Sequence, residues 1–269
     1  MTYGIRPRTR RDFLAGLAGS ALAPLEARTS IYRPQLAAQT TVWLPLPDNL
    51  EPIFSGIRRA GYSRVVLTPE FTWPVMRPSL VYLLHQYQLE PTIVQLTGDV
   101  QAQYEAARML HVVGALYVEV IPPPQGSALH LQAAEFERLG LRLLLREGSD
   151  TACGTWLDVE ALAHGGRDPA AAIDHASATL DAVTLRSRLH GELQEEVGSG
   201  EPDMMRIADM LRRIRYDGLL VVDLPVLPAR TQTICMALSH SRWYLQEVFG
   251  EVPGAAPVDL GPHVRTRRK

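Results

Sequence analysis

Short apolar runs and amphipathic stretches alternate along most of the chain. Runs of β-branched and aliphatic residues predict eight strands, each buried on both faces as in a parallel sheet. They are TTVWLP (40–45), RVVLTP (64–69), TIVQLT (92–97), LYVEVIP (116–122), LRLLLRE (141–147), TWLDV (155–159), AVTLRS (182–187) and GLLVVDLP (218–225). Stretches with helical period lie at 51–61, 75–88, 99–113, 128–139, 169–180, 203–215 and 231–249. This alternation predicts an α/β fold, a (β/α)8 TIM barrel.

The stretch at 203–215 shows the helical period well. Ile207, Met210 and Leu211 fall on one face, whereas charged residues occupy the other. Asp203 stands directly before this run and is a plausible N-cap, because its carboxylate can accept hydrogen bonds from the first free backbone N–H groups.

One interval is too short for the regular pattern. Only GSDTACG (148–154) separates the fifth and sixth predicted strands, whereas a parallel crossover usually takes a dozen or more residues. We therefore expect the barrel to lack the helix between strands 5 and 6. The alternative is that one of these two strands is wrong.

The N-terminus has the features of a targeting segment. Thr9-Arg10-Arg11-Asp12-Phe13-Leu14 resembles the twin-arginine export signal, and a short apolar run and a small-residue cleavage candidate, Ala21-Leu22-Ala23, follow it. We expect a signal peptide at 1–23, a linker at 24–39, the barrel at 40–249 and a basic tail at 250–269. The resemblance implies export of the folded protein by the twin-arginine machinery to a bacterial periplasm or beyond.

Charge and composition narrow the classes of partner. The first 23 residues carry a charge of +3, which leaves −5 for the remainder of a chain whose total is −2. This balance argues against a nucleic-acid partner. No apolar run beyond the leader reaches the length that spans a bilayer, so the mature protein is not expected to be embedded in a membrane. Cys153 and Cys235 have no metal-site spacing, and we favour free thiols over a disulfide.

Acidic residues follow several of the predicted strands. In TIM barrels the reactive groups lie at the carboxyl ends of the strands, so Glu147, Asp158 and Asp223 are expected at one mouth. Three converging carboxylates repel one another unless they share a proton or a cation. Oxygen ligands favour Mg²⁺, Mn²⁺ or Ca²⁺, and an added histidine would extend the choice to Zn²⁺ or Co²⁺.

Several stretches resemble the xylose isomerase-like superfamily of TIM-barrel sugar isomerases and epimerases. They are IFSGIRRAGYSRVVLTPE (53–70), ARMLHVVGALYVEVIPP (107–123), LGLRLLLREG (139–148), TWLDVEALAHGGRDPAAAI (155–173) and GSGEPDMMRIADMLRRIRYDGLLVVDLP (198–225). The resemblance implies a divalent metal, Mn, Mg, Co or Zn, held by Glu147, Asp158 and Asp223. It also implies that Glu147 and Asp223 are the acid/base pair that moves a proton next to a carbonyl of a small carbohydrate.

The chain departs from the family's ligand pattern in three places. Asp158 is followed by Val159-Glu160-Ala161 instead of the usual Asp-x-Gly-His, Thr184 occupies the position of the histidine after strand 7, and Asp223 stands where a glutamate is usual. Replacement ligands would have to come from His164 or His190, both expected in loops above the mouth.

Other residues near the strand ends could contact the substrate. We expect Trp43 to stack on a sugar ring and Glu70 to contact the substrate, with an ordinary polar position at the mouth as the alternative for Glu70. Arg186 and Arg188 could bind a phosphate or carboxylate, and His190 could fold back over the mouth. Core packing is the alternative role for Trp43, and solvation is the alternative for His190. Glu119, in the middle of a strand, could face the barrel interior paired with an arginine.

Three functions remain open at this point. The first is an exported sugar isomerase or epimerase-like enzyme that uses carboxylate acid/base catalysis and a divalent metal. The second is a catalytically degenerate barrel that binds a carbohydrate or a protein partner, which the missing histidines favour. The third is a metal-free hydrolase whose two carboxylates lie about 5 to 9.5 Å apart, as in glycosidases.

Overall fold

A computed structural model describes residues 32–44, 49–72, 78–148, 150–226 and 231–250. The export signal predicted at 1–23 lies outside these residues, as does all but the first residue of the predicted tail at 250–269. Within the described ranges, no helix has both the length and the apolar character needed to cross a membrane.

Eight parallel strands close into a barrel. In chain order the strands are β1 (Gln35–Gln39), β2 (Arg64–Leu67), β3 (Glu90–Leu96), β4 (Tyr117–Val120), β5 (Arg142–Arg146), β6 (Gly154–Asp158), β7 (Leu180–Leu185) and, after a small hairpin, β10 (Leu219–Val222). The spatial order is β1-β10-β7-β6-β5-β4-β3-β2, with every neighbouring pair parallel. The predicted (β/α)8 TIM barrel is confirmed.

The first strand lies earlier than predicted. β1 falls within the segment assigned to the linker, whereas the predicted strand at 40–45 begins with a 3-10 helix, Thr40–Trp43. Two alanines at its centre leave β1 without the run of bulky apolar residues that marks the other strands. Ala37 and Ala38 are nevertheless fully buried, because β1 lies between β2 and β10 and needs no bulk to fill its place.

Helices pack around the outside of the barrel. They are α1 (Glu51–Arg59), α2 (Pro69–Thr72), α3 (Pro78–Gln86), α4 (Val100–Val112), α5 (Ser127–Arg138), α6 (Val159–His164), α7 (Pro169–Ala176), α8 (Met204–Arg213) and α9 (Thr231–Phe249). The seven predicted helices are confirmed, whereas α2 and α6 were not expected. Asp203 caps α8 as predicted, since its Oδ1 accepts hydrogen bonds from the Met205 and Arg206 backbone nitrogens.

No helix forms in the described residues between β5 and β6, as expected. Leu144 lies beside Gly154 in the register, so the chain steps back by only about three residues, roughly 10 Å, before β6 begins. Asp150 closes this short turn, because its carbonyl accepts from Cys153 N and its side chain from Ala152 N. Both cysteines are free thiols, as predicted.

The apolar core has two parts, one on each side of the ring of strands. The large cluster lies between the strands and the helices. The smaller one fills the barrel interior with Ala37, Val66, Ile93, Leu144, Trp156, Ala182, Leu219 and Val221. Because strand side chains alternate with period two, the residue two positions after each of these points into the same interior, nearer the mouth.

Candidate functional site

A polar layer lies on the interior apolar layer, at the carboxyl ends of the strands. The alternation places there Gln39, Thr68, Gln95, Glu119, Arg146, Asp158, Thr184, Arg186 and Asp223. All but the two arginines are buried. This is the position at which TIM barrels carry reactive groups, so it is the candidate site.

Three residues of this layer, Asp158, Arg186 and Asp223, form a cluster with Thr41 of the 3-10 helix, named here the aspartate cluster. Arg186 Nη2 donates a hydrogen bond to Asp223 Oδ2 and lies 3.5 Å from Asp158 Oδ2. Thr41 Oγ1 donates to Asp223 Oδ1 over 3.1 Å. A single guanidinium group therefore links the carboxylates that end β6 and follow β10.

Burial controls the protonation of Asp223. The side chain is only 4% exposed, and loss of hydration raises the pKa of this carboxyl above its ordinary value. The positive charge of Arg186 and the hydrogen bond from Thr41 act in the opposite direction, while the negative charge of Asp158 adds to the rise. A carboxyl with a raised pKa is suited to taking up and returning a proton.

Asp158 has a second, structural partner. Its Oδ1 accepts a hydrogen bond of 3.1 Å from the Ala161 backbone nitrogen and so caps α6, while its Oδ2 faces Arg186. The α6 helix that begins here takes in His164, which was expected in a loop and is the last residue of the helix, exposed to solvent.

Three other residues of the polar layer, Gln95, Glu119 and Arg146, form the glutamate cluster together with Trp156 of the apolar layer. Arg146 Nε donates to Glu119 Oε1 over 2.5 Å, and Gln95 Nε2 donates to Glu119 Oε2 over 2.6 Å. The guanidinium carbon lies 4.1 Å from the centre of the Trp156 ring, a cation–π contact. Trp156 Nε1 in turn donates to Thr184 Oγ1 over 2.7 Å. Glu119 thus faces the interior paired with an arginine, the alternative raised from the sequence.

Glu147 does not join the layer. It follows β5 with a positive φ of 56°, a left-handed turn, and its Oε2 accepts a hydrogen bond of 2.5 Å from Arg167 Nη1. Both side chains are exposed. The inward position at the end of β5 belongs to Arg146, two residues after the interior residue Leu144. The sequence interpretation placed Glu147 in the mouth, and the structure places it one residue out of phase with the interior.

The other predicted substrate residues are spread out. Arg186 lies in the mouth, whereas Arg188 begins the hairpin strand β8 (Arg188–Leu189) and pairs with buried Glu160 on α6. His190 is exposed at the turn before β9 (Glu192–Leu193), at a φ of 52°. Glu70 is exposed on α2.

Trp43 is a core residue. It ends the 3-10 helix after β1 and belongs to the apolar cluster between the strands and the helices. Core packing, the alternative considered from the sequence, is thus the contact that the structure records for this indole.

Several buried polar atoms near the mouth have no hydrogen-bond partner among the described residues. They are Gln39 Oε1, Thr68 Oγ1, Arg186 Nε and Trp43 Nε1. Each such atom costs about 1–3 kcal/mol of folding free energy unless something pairs with it. Most buried polar groups in folded proteins have a partner, so these four atoms mark this end of the barrel as under-satisfied.

The residues present do not fit the divalent metal that the resemblance implies. The described part of the chain holds no group of three His, Cys, Asp or Glu side chains placed to bind a metal ion. Of the expected ligands, Glu147 pairs with Arg167, while Asp158 and Asp223 already share the cation of Arg186. The structure therefore does not bring the predicted metal trio together.

Sequence reasoning missed Arg146, Thr41, Gln39 and Thr68. For Arg146 a signal existed, because strict alternation from Leu144 places residue 146 inside the barrel. Thr41 gave no comparable signal, because it follows β1, a strand that the sequence pattern did not predict.

This chain is similar to known proteins in structure and not detectably in sequence. No family model matches it, and no curated protein does. Solved structures match over most of the barrel: a D-allulose 3-epimerase from Methylomonas sp. aligns with a TM-score of 0.60 at 13% identity, covering 81% of this chain and 99% of its own. The likeness is one of fold.

Other solved structures with this barrel are named for different enzymes. An L-ribulose 3-epimerase aligns with a TM-score of 0.62 at 15% identity, over 80% of this chain and 94% of its own. The probable 3-DHS dehydratase AsbF from Bacillus anthracis aligns with a TM-score of 0.60 at 10% identity, over 79% of this chain and 98% of its own. At these identities, the shared barrel is what the comparison shows.

Proposed function

We propose that this protein is a sugar isomerase or epimerase-like enzyme that acts on a small carbohydrate, with Asp223 as the proton-carrying carboxyl. The observation that carries the proposal is the state of Asp223: buried at the mouth, with a raised pKa, and held between Thr41 and Arg186. The 3-epimerases among the structural matches support a sugar as the substrate.

The number of suitable carboxyl groups favours isomerisation over epimerisation. An aldose–ketose isomerisation can proceed with one base, which takes a proton from the carbon beside the carbonyl and returns it to the neighbouring carbon on the same face. Epimerisation needs a second group on the opposite face of the sugar. Glu147, the predicted second group, pairs with Arg167 outside the polar layer, and Glu119 is engaged by Arg146 and Gln95.

Exchange with heavy water tests this proposal. The protein is incubated in D2O with D-allulose and D-fructose, together with aldoses of the same size, and deuterium at the carbons beside the carbonyl is followed by NMR. We expect incorporation in the parent and a loss of about a hundredfold or more in Asp223→Asn. Arg206→Met, which removes an ion pair on the exposed face of α8, is the control and should exchange like the parent.

The second candidate is a barrel that binds a carbohydrate without converting it. The observation that favours it is that all three carboxylates of the polar layer are already paired with an arginine. Sugar binding in calorimetry without deuterium incorporation for any sugar would decide for this candidate. A protein partner for the degenerate barrel remains part of the same alternative.

We also propose that the folded barrel is exported by the twin-arginine machinery to the periplasm or the medium. The support is the order of Arg10-Arg11, the apolar run and the candidate site after Ala23 in the sequence. Fusion of residues 1–39 to a folded reporter tests it. Replacement of both arginines by lysine should keep the reporter in the cytoplasm, whereas unchanged export would reject the route.

A further inference from the structure

The aspartate cluster has a fixed cation at its centre. Arg186 Nη2 contacts the carboxylates of both Asp158 and Asp223, the two carboxylates of the expected metal site that do reach the mouth. We propose that the guanidinium group of Arg186 takes the place of the divalent metal and polarises the carbonyl oxygen of the substrate. The catalytic part of this inference rests on the proposed function.

Strand geometry fixes Arg186 in this position. It follows Ala182 and Thr184 on the inward side of β7, and its side chain is 26% exposed between two nearly buried carboxylates. A guanidinium group is planar and permanently charged, so two acceptors set its orientation. A site built on this arginine carries its positive charge without binding a metal ion.

The guanidinium group keeps donors that a ligand can reach. Its contacts with both aspartates run through Nη2, and the Arg186 side chain is 26% exposed. A carbonyl or hydroxyl oxygen of a ligand in the mouth can accept from the remaining guanidinium N–H groups on that exposed side.

The charge balance disfavours a second cation beside Arg186. Two carboxylates and one guanidinium leave a net charge of −1 when both aspartates are ionised. A divalent ion between the same oxygens would lie within a few ångströms of the guanidinium group, where like charges repel strongly at low dielectric. The cluster therefore accommodates either the arginine or a metal ion between its two aspartates.

The role in the reaction follows from the proposed proton transfer. When Asp223 removes the proton beside the carbonyl, the C–H electron pair forms the carbon–carbon double bond, and the carbonyl π electrons move to oxygen. An N–H group on the exposed side of the Arg186 guanidinium donates to that developing oxyanion, as the donors of an oxyanion hole do. Return of the proton to the adjacent carbon, with transfer of a hydroxyl proton to the oxyanion, completes the isomerisation.

Metal binding tests the first half of the inference independently of activity. We compare the parent, Arg186→Ala and Arg167→Ala by calorimetric titration with Mn²⁺ and by thermal unfolding with and without Mn²⁺. Arg167→Ala leaves one carboxylate, that of Glu147, without its arginine. Arg186→Ala leaves two neighbouring carboxylates, those of Asp158 and Asp223, without theirs.

We expect no Mn²⁺ binding in the parent or in Arg167→Ala, and a rise in melting temperature with Mn²⁺ in Arg186→Ala, including rescue if that variant is unfolded alone. A parent that purifies with one equivalent of metal, lost in Asp158→Asn, would overturn the inference. So would identical behaviour of the two arginine variants.

Arg186→Lys tests the second half and does not depend on the folding of the alanine variant. Lysine keeps the charge but loses the planar fork of N–H donors. We expect kcat to fall about a hundredfold with KM changed far less, and EDTA to leave the parent's kcat unchanged. Equal kcat in the lysine variant would overturn the catalytic role. Absence of exchange in the parent itself would instead reject the proposed function, and the Mn²⁺ titration would still decide the metal question.

Discussion

At the scale of single residues, the site depends on which side chains share the phase of the barrel interior. Asp158 and Asp223 follow Trp156 and Val221 by two positions and face the mouth. Glu147 is offset by one position, and its left-handed turn carries it to Arg167. A shift of one residue moves a strand side chain to the opposite face, so it separates a residue of the mouth from one of the surface.

This offset gives a prediction for Glu147. Glu147→Gln should leave the deuterium exchange rate within about twofold of the parent, because the substitution removes only an exposed ion pair. The measurement is the same NMR exchange assay, beside Asp223→Asn. A loss in Glu147→Gln as large as in Asp223→Asn would restore Glu147 to the catalytic pair implied by the family resemblance.

The glutamate cluster gives a prediction about stability. Arg146→Met leaves the 6% exposed carboxylate of Glu119 without its charged partner, and should reduce the free energy of unfolding by about 3 kcal/mol. The expected value is at the low end for a buried pair because Arg146 itself is 36% exposed. Urea unfolding measures it.

The control for this measurement is Arg138→Met. It breaks a pair with Glu135 on α5 in which the arginine is 79% exposed, and should cost no more than about 0.5 kcal/mol. Similar losses in the two variants would show that Arg146 contributes packing alone.

At the scale of elements, a small hairpin follows β7 and stands beside the site. Its first residue, Arg188, pairs with Glu160 on α6, and its backbone exchanges two hydrogen bonds with Glu201. Gly200 lies against this bridge with a φ of 101°, and a Cβ added there would be 2.2 Å from the Arg188 carbonyl oxygen. The hairpin thus depends on a glycine that lies outside it in the sequence.

Two glycines of this region form a matched pair for testing that dependence. Gly191→Ala introduces a side chain at a φ of 87° with no atom within 4 Å, and should cost about 1 kcal/mol for the backbone conformation alone. Gly200→Ala meets the same backbone penalty and the clash with Arg188, so it should lose clearly more stability in urea unfolding. Equal losses would mean that the bridge relaxes freely around the added methyl group.

At the scale of the whole molecule, closure of the barrel depends on the short connection between β5 and β6. Cys153 ends this connection and is fully buried, and burial raises the pKa of its thiol from 9.0 to about 11. Since the folded protein favours the protonated thiol, the stability that Cys153 contributes is complete below pH 9 and is lost as the pH rises towards 11.

Cys153→Ala tests this dependence. The parent should lose stability more steeply than the variant between about pH 9 and pH 11, because only the parent's unfolded chain releases the thiol proton in this range. Denaturant unfolding at each pH gives both curves, and buried tyrosines affect both proteins equally. Parallel curves would show that the thiol titrates alike in the folded and unfolded states.

Much of the architecture followed from local patterns. Seven strands and seven helices were predicted near their observed positions, because apolar runs and helical periods record burial directly. The lack of a helix in the described residues between β5 and β6 was predicted from the length of that interval alone. The first strand was missed because the alanines of β1 gave no bulky apolar run. Helix α6 was missed because Asp158, the last residue of β6, is also its N-cap, so no loop separates the strand from the helix.

The sequence by itself determined the barrel and the presence of carboxylates at its strand ends, because both depend on spacing along the chain. Only the tertiary structure decided their partners: Arg186 between Asp158 and Asp223, Arg146 with Glu119, and Arg167 with Glu147. These pairs join residues separated by 20 to 37 positions, brought together by closure of the sheet. Charge pairing is a matter of distance in space, and it is this pairing that fills the expected metal site with a guanidinium group.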